Sequence, residues 1–380
     1  MRFAYRKPVR YLFGEGVLNE LPKLLTPYRK VLLVTGRKSA KESSLLNRVL
    51  NLLKPFETLL FTGVSPNPDE EQVKAIAREA RKADALVALG GGSTMDAAKV
   101  AALVAAEGGE PWDYVREGLK SKREPGRALP LLAVPTTAGT GSEVNRHAVI
   151  SSYRRKKKLP VSGEPLYPQA CLADPEVTAT LPPYQTALGA YDALVHAVES
   201  YANEPPHPPA ERDALTCAEL VLKHLPRAYE KPDELSARAG LLLASAYGGW
   251  AIDHKGVGVA HALEHALSGL RPEVAHAEGL SALTPAVLSH FVPLAPERYG
   301  PFARLFGLGS VEELPRAFYG LARRYGLPVS LKELGVKESE LGLIARAALT
   351  DAPRAFKKAP APVGEKELLT ILKRAFRGEP

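Results

Sequence analysis

A chain of 380 residues, 45% hydrophobic and 24% charged, can bury a sizeable core and exceeds the usual size of one domain, so we expect two. The net charge of +8 does not predict nucleic-acid binding, because basic residues are interspersed with acidic ones and cluster only at 120–127 and 154–158. Two cysteines without Cys-x-x-Cys spacing argue against a disulfide framework and a thiolate metal site.

Without an apolar signal segment or a run of about twenty apolar residues, we expect a cytoplasmic protein with no membrane association. Thirty-three prolines beside two methionines and two cysteines resemble heat-adapted compositions, which concerns stability and not activity.

The first 180 residues alternate short β-branched runs with helical patterns. This alternation predicts a parallel, doubly wound α/β sheet. The predicted strands are 31–35, 59–61, 85–89 and 131–134, and the predicted helices are 41–53 and 69–82. Ligands of such sheets bind at the carboxyl ends of the strands.

After Leu181 the β-branched runs give way to long stretches rich in alanine and leucine with helical spacing. We therefore predict an α/β dinucleotide-binding domain over 1–180 and an all-α metal-binding domain over 181–380, with the boundary near residue 180.

A glycine cluster, Gly90-Gly91-Gly92-Ser93, follows the predicted strand 85–89 and opens a helix that contains Asp96. Glycines let the backbone approach a diphosphate, and the free N–H groups at a helix start attract it. The usual Gly-x-Gly-x-x-Gly pattern is incomplete, so a tight turn is the alternative interpretation.

A second loop follows the strand at 131–134 and is rich in hydroxyl groups. Its candidate cofactor-binding residues are Thr136, Thr137, Thr140 and Ser142. Such side chains can donate hydrogen bonds to phosphate and ribose oxygens. The alternative is a polar loop that caps the next element.

Two helical pairs and one further histidine form a candidate metal site. Asp192 and His196 are four residues apart, so they share one helix face, and His261 and His265 repeat this spacing. Three imidazoles and one carboxylate, with His276 as the third nitrogen ligand, suit Fe²⁺ or Zn²⁺ better than Mg²⁺ or Ca²⁺. For either helical pair alone, a solvated helix face is the simpler interpretation.

Together these motifs resemble the iron-containing (group III) alcohol dehydrogenase family along nearly the whole chain. The matching segments are 13–16, 65–68, 90–99, 135–143, 174–175 and the helices around Asp192 and His261. The resemblance implies a dehydroquinate synthase-like architecture, hydride transfer between a nicotinamide and a small alcohol or aldehyde, and a homodimer.

Carried over to this chain, the resemblance implies that Asp192, His196, His261 and His276 bind the metal. It assigns His265 to moving the alcohol proton, and it places Asn67 and Lys158 near the cofactor. The family metal is Fe²⁺, and the composition of the site also allows Zn²⁺.

The turn after the first predicted strand bears on cofactor choice. Relatives that prefer NAD often carry an acid there, whereas this chain has Gly36, Arg37, Lys38 and Ser39. Cations favour a 2′-phosphate, so we predict NADP(H) over NAD(H).

Two features depart from the family pattern. His265 and His276 are separated by eleven residues where the family usually has ten, which leaves His290 as an alternative fourth ligand. Arg146, His147 and Lys255 replace smaller or less basic residues, which suggests a polar or carboxylate-bearing aldehyde.

Three alternatives remain at this stage. A sugar-phosphate cyclase similar to dehydroquinate synthase would usually use a glutamate and two histidines. A zinc enzyme similar to glycerol dehydrogenase would typically lack one of the four ligands. An inactive relative or nucleotide sensor would show broken motifs, and none is visibly broken.

Overall fold

The computed structural model describes residues 2–37 and 44–380. Its strands are β1 (Arg10–Phe13), β2 (Lys30–Gly36), β3 (Glu57–Val64), β4 (Ala85–Gly90), β5 (Leu131–Pro135), β6 (His147–Ser152), β7 (Lys157–Ser162) and β8 (Ala170–Ala173). Six of them form a parallel sheet in the order β1-β8-β5-β4-β2-β3, and β6 pairs with β7 as an antiparallel hairpin. The predicted α/β fold with a parallel sheet is confirmed.

Helices cover the sheet and make up the rest of the chain. Those of the sheet region are α1 (Leu21–Leu25), α2 (Ser44–Leu52), α3 (Glu70–Ala80) and α4 (Gly92–Glu107). The later ones are α5 (Pro183–Ala202), α6 (Pro208–Glu230), α7 (Leu235–Lys255), α8 (Val259–Leu270), α9 (His276–Phe291), α10 (Pro296–Leu305), α11 (Leu314–Arg324), α12 (Leu341–Asp351), α13 (Pro353–Lys358) and α14 (Glu365–Arg377). Short 3₁₀ turns lie at Val17–Glu20, Pro111–Tyr114, Glu164–Leu166, Pro175–Thr178, Val311–Glu313 and Glu338–Glu340.

Both faces of the sheet are buried, which explains why its central strands are continuous apolar runs. Along β2, Leu32 and Val34 face one apolar core together with α3 and α4, and Val31 and Leu33 face a second core on the other side. Alternate side chains of a strand point to opposite faces, so one run of four apolar residues serves both cores.

The helices from α5 onward share a separate apolar core. In the described part of the chain, no strand follows Ala173, and the first α-helix after that strand begins at Pro183. The all-helical character of the second half is confirmed, whereas the domain boundary at residue 180 stays a prediction. None of the described helices is both long and apolar enough to cross a bilayer.

Candidate active site

The two predicted nucleotide loops lie side by side at one edge of the sheet. β4 and β5 are paired so that Gly90 is opposite Pro135, and the glycine cluster and the threonine loop begin at these residues. Gly91 caps α4, which starts at Gly92. A Cβ on Gly92 would lie 2.7 Å from the Thr140 hydroxyl, so a larger residue here would force the two loops or the Thr140 side chain to shift.

The threonine loop also packs against the helical part of the chain. Gly141 has φ of 62°, and a Cβ there would lie 2.6 Å from the backbone nitrogen of Gly249 on α7. A Cβ on Gly139 would lie 2.8 Å from the Cα of Gly189 on α5. The glycines of this loop are therefore required for close backbone contact, in addition to any contact with a nucleotide.

Buried polar contacts hold the end of this loop. Ser142 donates a hydrogen bond of 2.6 Å to Asp96 on α4, and the Lys99 ammonium donates to the backbone carbonyls of Asn145 and His147 at 2.9 and 2.8 Å. Burial lowers the pKa of Lys99 to about 8. Sequence reasoning missed Lys99, although it lies three residues after Asp96 and so on the same helix face.

Three helices bring the four predicted metal ligands together. Asp192 and His196 come from α5, His261 from α8, and His276 is the first residue of α9. The Asp192 Oδ1 atom lies 3.6 Å from His196 Nε2, 3.5 Å from His261 Nε2 and 3.7 Å from His276 Nε2. Ligand atoms of Asp192, His261 and His276 lie within 4.8 Å of one another, a space small enough for one ion, and His196 Nε2 approaches the same carboxylate oxygen.

The hydrogen bonding of this group fits a cation. Asp192 Oδ1 and His261 Nε2 are buried and have no hydrogen-bond partner among the described residues. Leaving such atoms without a partner costs about 1–3 kcal/mol each. A divalent ion bound by these atoms would satisfy both, and the nitrogen-rich donor set suits iron or zinc.

Two buried glutamates contact the Nδ1 atoms of His261 and His276, whose Nε2 atoms approach Asp192. Glu199 accepts a hydrogen bond of 2.6 Å from His261 Nδ1 and further bonds from the backbone N–H groups of Gly258 and Ala260. Glu264 contacts His276 Nδ1. Both contacts hold the proton on Nδ1 and leave Nε2 free to coordinate a metal.

Sequence reasoning did not assign these glutamates, although the spacing contained a signal. Glu199 follows Asp192 by seven residues, which is two helical turns, and Glu264 follows His261 by three. Many pairs of residues in the chain have such spacings, and only the fold decides which of them face the protein interior.

The electrostatics of the pocket favour a positive charge. Burial alone would raise the pKa of Asp192, but the imidazoles of His196, His261 and His276 lower it, so the carboxylate is ionised. Burial opposes protonation of His261, but Asp192 and Glu199 together raise its pKa to about 9. Without a metal, this pKa places a proton on Nε2 beside Asp192, and a divalent ion would displace that proton because it takes the same position next to the carboxylate.

His265 lies one turn beyond His261 and lines the same cleft. Its ring centroid is 6.2 Å from that of His261 and 5.5 Å from that of His276. Burial lowers its pKa well below the ordinary value, and the Lys158 ammonium lowers it further while Glu264 opposes the change. The imidazole is therefore neutral near pH 7 and can accept a proton.

A cleft of about 320 Å³ connects the loops with the histidines. Of the candidate metal and proton-transfer residues, its wall includes His196, His261, His265 and His276, with Asp192 buried behind them. Of the candidate cofactor residues, it includes Asn67, Gly92, Ser93, Asp96, Thr140, Ser142 and Lys158. A nucleotide bound at the loops would therefore share one space with the candidate metal centre.

The other candidate cofactor residues lie outside the lining of this cleft. They are Gly36, Arg37, Gly91, Thr136 and Thr137, whereas Lys38 and Ser39 lie outside the described residues. Arg37 is exposed at the carboxyl end of β2, and its Nε donates to the carbonyl of Gly63 at 3.3 Å.

Two cofactor candidates make contacts that the sequence did not indicate. The Asn67 amide donates to the carbonyls of Pro272 and Val274, so it holds the loop before His276. The Lys158 ammonium lies 3.2 Å from Glu264 Oε2 and 3.2 Å from His276 Nδ1, so it is directed toward the candidate metal centre.

The alternative fourth ligand does not reach the site. His290 is on α9, fourteen residues after His276. At 1.5 Å per residue this separation is about 21 Å along the helix axis. His276 itself follows the loop between α8 and α9 and is the first residue of α9.

The suggested basic pocket of Arg146, His147 and Lys255 is wrong as a cluster. Only His147 lines the cleft. Arg146 pairs with Glu164 at 2.8 Å, and buried Lys255 pairs with Glu211 at 2.7 Å. Sequence proximity could not show that these two cations already have acidic partners.

The fold and the site define a two-part enzyme in which a nucleotide-binding sheet faces a candidate metal centre across a cleft. The family model for iron-containing alcohol dehydrogenase matches residues 8–175, and the model for the C-terminal part of the Fe-containing alcohol dehydrogenase family matches residues 186–376. The chain belongs to the iron-containing alcohol dehydrogenase family, and its relatives are oxidoreductases that act on alcohols.

Curated relatives and solved structures match nearly the whole chain. Alcohol dehydrogenase 4 of Saccharomyces cerevisiae is 32% identical over 98% of both chains. 4-Hydroxybutyrate dehydrogenase of Cupriavidus necator is 34% identical over 85% of this chain and 86% of that relative. The crystal structure of an alcohol dehydrogenase from an archaeal, halo-thermophilic Red Sea brine pool source is 28% identical, covers 99% of both chains and superposes with a TM-score of 0.95. The family implies a divalent metal, typically iron, and a nicotinamide cofactor.

Proposed function

We propose that this protein is a metal-dependent NAD(P)-linked alcohol dehydrogenase and aldehyde reductase. The observation that carries the proposal is the convergence of Asp192, His196, His261 and His276 beside a cleft that the nucleotide loops also line. An intact set of four ligands favours this function over a cyclase, a three-ligand zinc enzyme or an inactive relative.

The side chains around the cleft have separate roles in this proposal. Fe²⁺, or Zn²⁺ as the alternative, would polarise the substrate oxygen and stabilise the charge on it. Glu199 and Glu264 keep His261 and His276 in the tautomer that presents Nε2. Neutral His265 accepts the alcohol proton in oxidation and returns a proton in reduction. The start of α4 at Gly92 and Ser93 binds the cofactor diphosphate.

Reconstitution tests the function directly. Metal-stripped protein, loaded separately with Fe²⁺ and Zn²⁺ without oxygen, should oxidise NADPH in the presence of an aldehyde. We expect turnover only with metal, because a divalent ion at these ligands would supply the charge that polarises the substrate oxygen. Metal binding without oxidation of either nucleotide by a panel of aldehydes would contradict the proposal and favour the cyclase or the inactive relative.

The proposal includes a preference for NADP(H) over NAD(H). Arg37 follows β2 without a neighbouring acid, so its guanidinium can contact a 2′-phosphate. Replacing Arg37 by alanine should lower kcat/KM for NADPH about tenfold and leave kcat/KM for NADH nearly unchanged. The control is Arg81→Ala, which removes one exposed charge after α3. Equal losses with both nucleotides would contradict a contact with the 2′-phosphate.

The substrate is a small alcohol or aldehyde, and we propose that it carries a polar or carboxylate group. The name of one relative, 4-hydroxybutyrate dehydrogenase, describes a substrate of that kind. The family resemblance also supports a homodimer, which the mass of the protein in solution would test.

A further inference from the structure

Three cationic side chains that the proposed chemistry does not use line the cleft. Arg116 follows the 3₁₀ turn Pro111–Tyr114, and Arg354 and Lys358 lie on α13. We call Arg116, Arg354 and Lys358 the basic cluster. Its members are far apart in the sequence, so only the fold brings them to one wall.

The basic cluster makes hydrogen bonds only to backbone carbonyls among the described residues. Arg116 Nη2 donates to Ser162 at 3.2 Å, Arg354 Nη2 donates to Leu119 at 3.1 Å, and Lys358 Nζ donates to Lys255 at 2.8 Å. These bonds hold the side chains in place and neutralise none of their charge.

Acidic groups near the basic cluster are engaged elsewhere. Asp351, which also lines the cleft, pairs with Lys157 at 2.9 Å, and Glu117 lies 3.5 Å from the same ammonium. Glu164 is shared by Arg6 and Arg146. Among the described residues, the one ion pair of the basic cluster joins Arg116 to the exposed carboxylate of Glu124 at 3.8 Å, beyond hydrogen-bond distance.

The three cations also repel one another. Burial lowers the pKa of Arg116, and the charge of Arg354 lowers it further. The pKa of Lys358 is lowered by the same two causes in the same order. Like charges placed together with a single loose ion pair, from Arg116 to Glu124, repel one another, and an anion bound among them would reduce that repulsion.

The cluster occupies a part of the cleft away from Lys158 and His276. Arg116 contacts Ser162, which is four residues along β7 from Lys158, or about 13 Å at 3.3 Å per residue. A Cβ on Gly256 would lie 3.5 Å from the Lys358 ammonium, and Gly256 lines the cleft just before α8. The Lys358 ammonium therefore lies beside a part of the cleft wall that is five residues before His261, where a ligand that extends from the histidines can meet it.

We propose that the basic cluster binds the anionic end of the substrate, so that the enzyme acts on hydroxy acids and the corresponding aldehyde acids. This inference rests on the proposed function for the position of the reacting oxygen. Arginine and lysine together recognise a carboxylate through charge-assisted hydrogen bonds. The cluster thereby selects against neutral alcohols of the same length, which would leave the three charges without a partner.

The test compares succinic semialdehyde with butanal, which have the same chain length and differ in charge. With reconstituted enzyme, kcat/KM should be at least about tenfold higher for the acid. Arg354→Gln and Lys358→Gln should each lower kcat/KM for the acid about tenfold, through KM, and leave butanal unchanged. The control Arg323→Gln removes one exposed charge from α11, outside the cleft lining, and should change neither substrate.

A binding measurement tests the basic cluster even if the enzyme does not turn over the aldehydes, so it distinguishes failure of this proposal from failure of the proposed function. Calorimetry of the metal-loaded protein with 4-hydroxybutyrate should give a Kd about tenfold weaker in the Arg354→Gln variant, even if no aldehyde is turned over. Unchanged thermal unfolding would show that the variants fold. The proposal would be overturned if the unmodified enzyme had an equal or higher kcat/KM for butanal. It would also be overturned if the variants lost kcat/KM equally for both aldehydes, or if they bound NADPH more weakly and 4-hydroxybutyrate as before.

Discussion

Replacing His261 by alanine is expected to remove the metal and the activity together. His261 contributes Nε2 at 3.5 Å from Asp192 Oδ1, and its other nitrogen is held by Glu199. Removing a group that only orients a ligand already costs about 10–100-fold in metal affinity or activity, so loss of the ligand itself should cost at least about 100-fold. Metal content by elemental analysis and the rate of NADPH oxidation measure both effects on the same sample.

His290→Ala is the matched control, because His290 is on α9 like His276 and lies about 21 Å along that helix from it. It should retain metal and rate. A Glu199→Gln variant should fall between the two, since the amide can still contact Nδ1 but carries no charge. Full metal content in His261→Ala, or loss of metal in His290→Ala, would show that the ligand set is different.

Replacing His265 by alanine is expected to retain the metal and lower the rate. His265 lines the cleft beside His261 and His276 but is not among the groups around Asp192 Oδ1. A positioned acid or base contributes about 10²–10⁴-fold to a rate, so kcat should fall by a factor in that range while KM changes little. Steady-state kinetics and metal analysis of one preparation provide the measurement.

Added imidazole provides a control for the His265→Ala variant. Free imidazole can accept the proton in place of the missing side chain if the space remains open. Partial recovery of kcat with imidazole would support proton transfer, and the His261→Ala variant should show no such recovery. Loss of metal from His265→Ala would instead mean that this histidine is a ligand or supports one. An unchanged kcat would exclude it from proton transfer.

Much of the site was predictable because its signals are local. The four-residue spacing of Asp192 and His196 places both on one helix face, and this spacing depends only on helix geometry. The glycines after β4 and the threonines after β5 follow apolar strand runs, which locate them at strand ends. The strand at Arg10–Phe13 and the hairpin of β6 and β7 were missed, since short or partly exposed strands lack a clear pattern.

Contacts between distant segments were not predictable in the same way. Arg146 and Lys255 looked like free cations beside the site, but the fold gives them Glu164 and Glu211 as hydrogen-bonded partners. Arg116 and Arg354 attracted no notice, although the fold leaves both without an acidic partner within hydrogen-bond distance in the described residues. Whether a charge is neutralised depends on side chains outside the local sequence, here 18 residues away for Arg146 and 44 residues away for Lys255.

The sequence by itself determined the elements, the family and the candidate ligands, because helix periodicity, strand runs and residue chemistry act over a few residues. Only the tertiary structure decided which of these residues share one space. It brought Asp192, His261 and His276 within 4.8 Å of one another, placed Glu199 behind His261, and left three cations facing the cleft. The physical reason is that burial and charge pairing depend on packing between helices α5, α8, α9 and α13, whose relative positions no local pattern encodes.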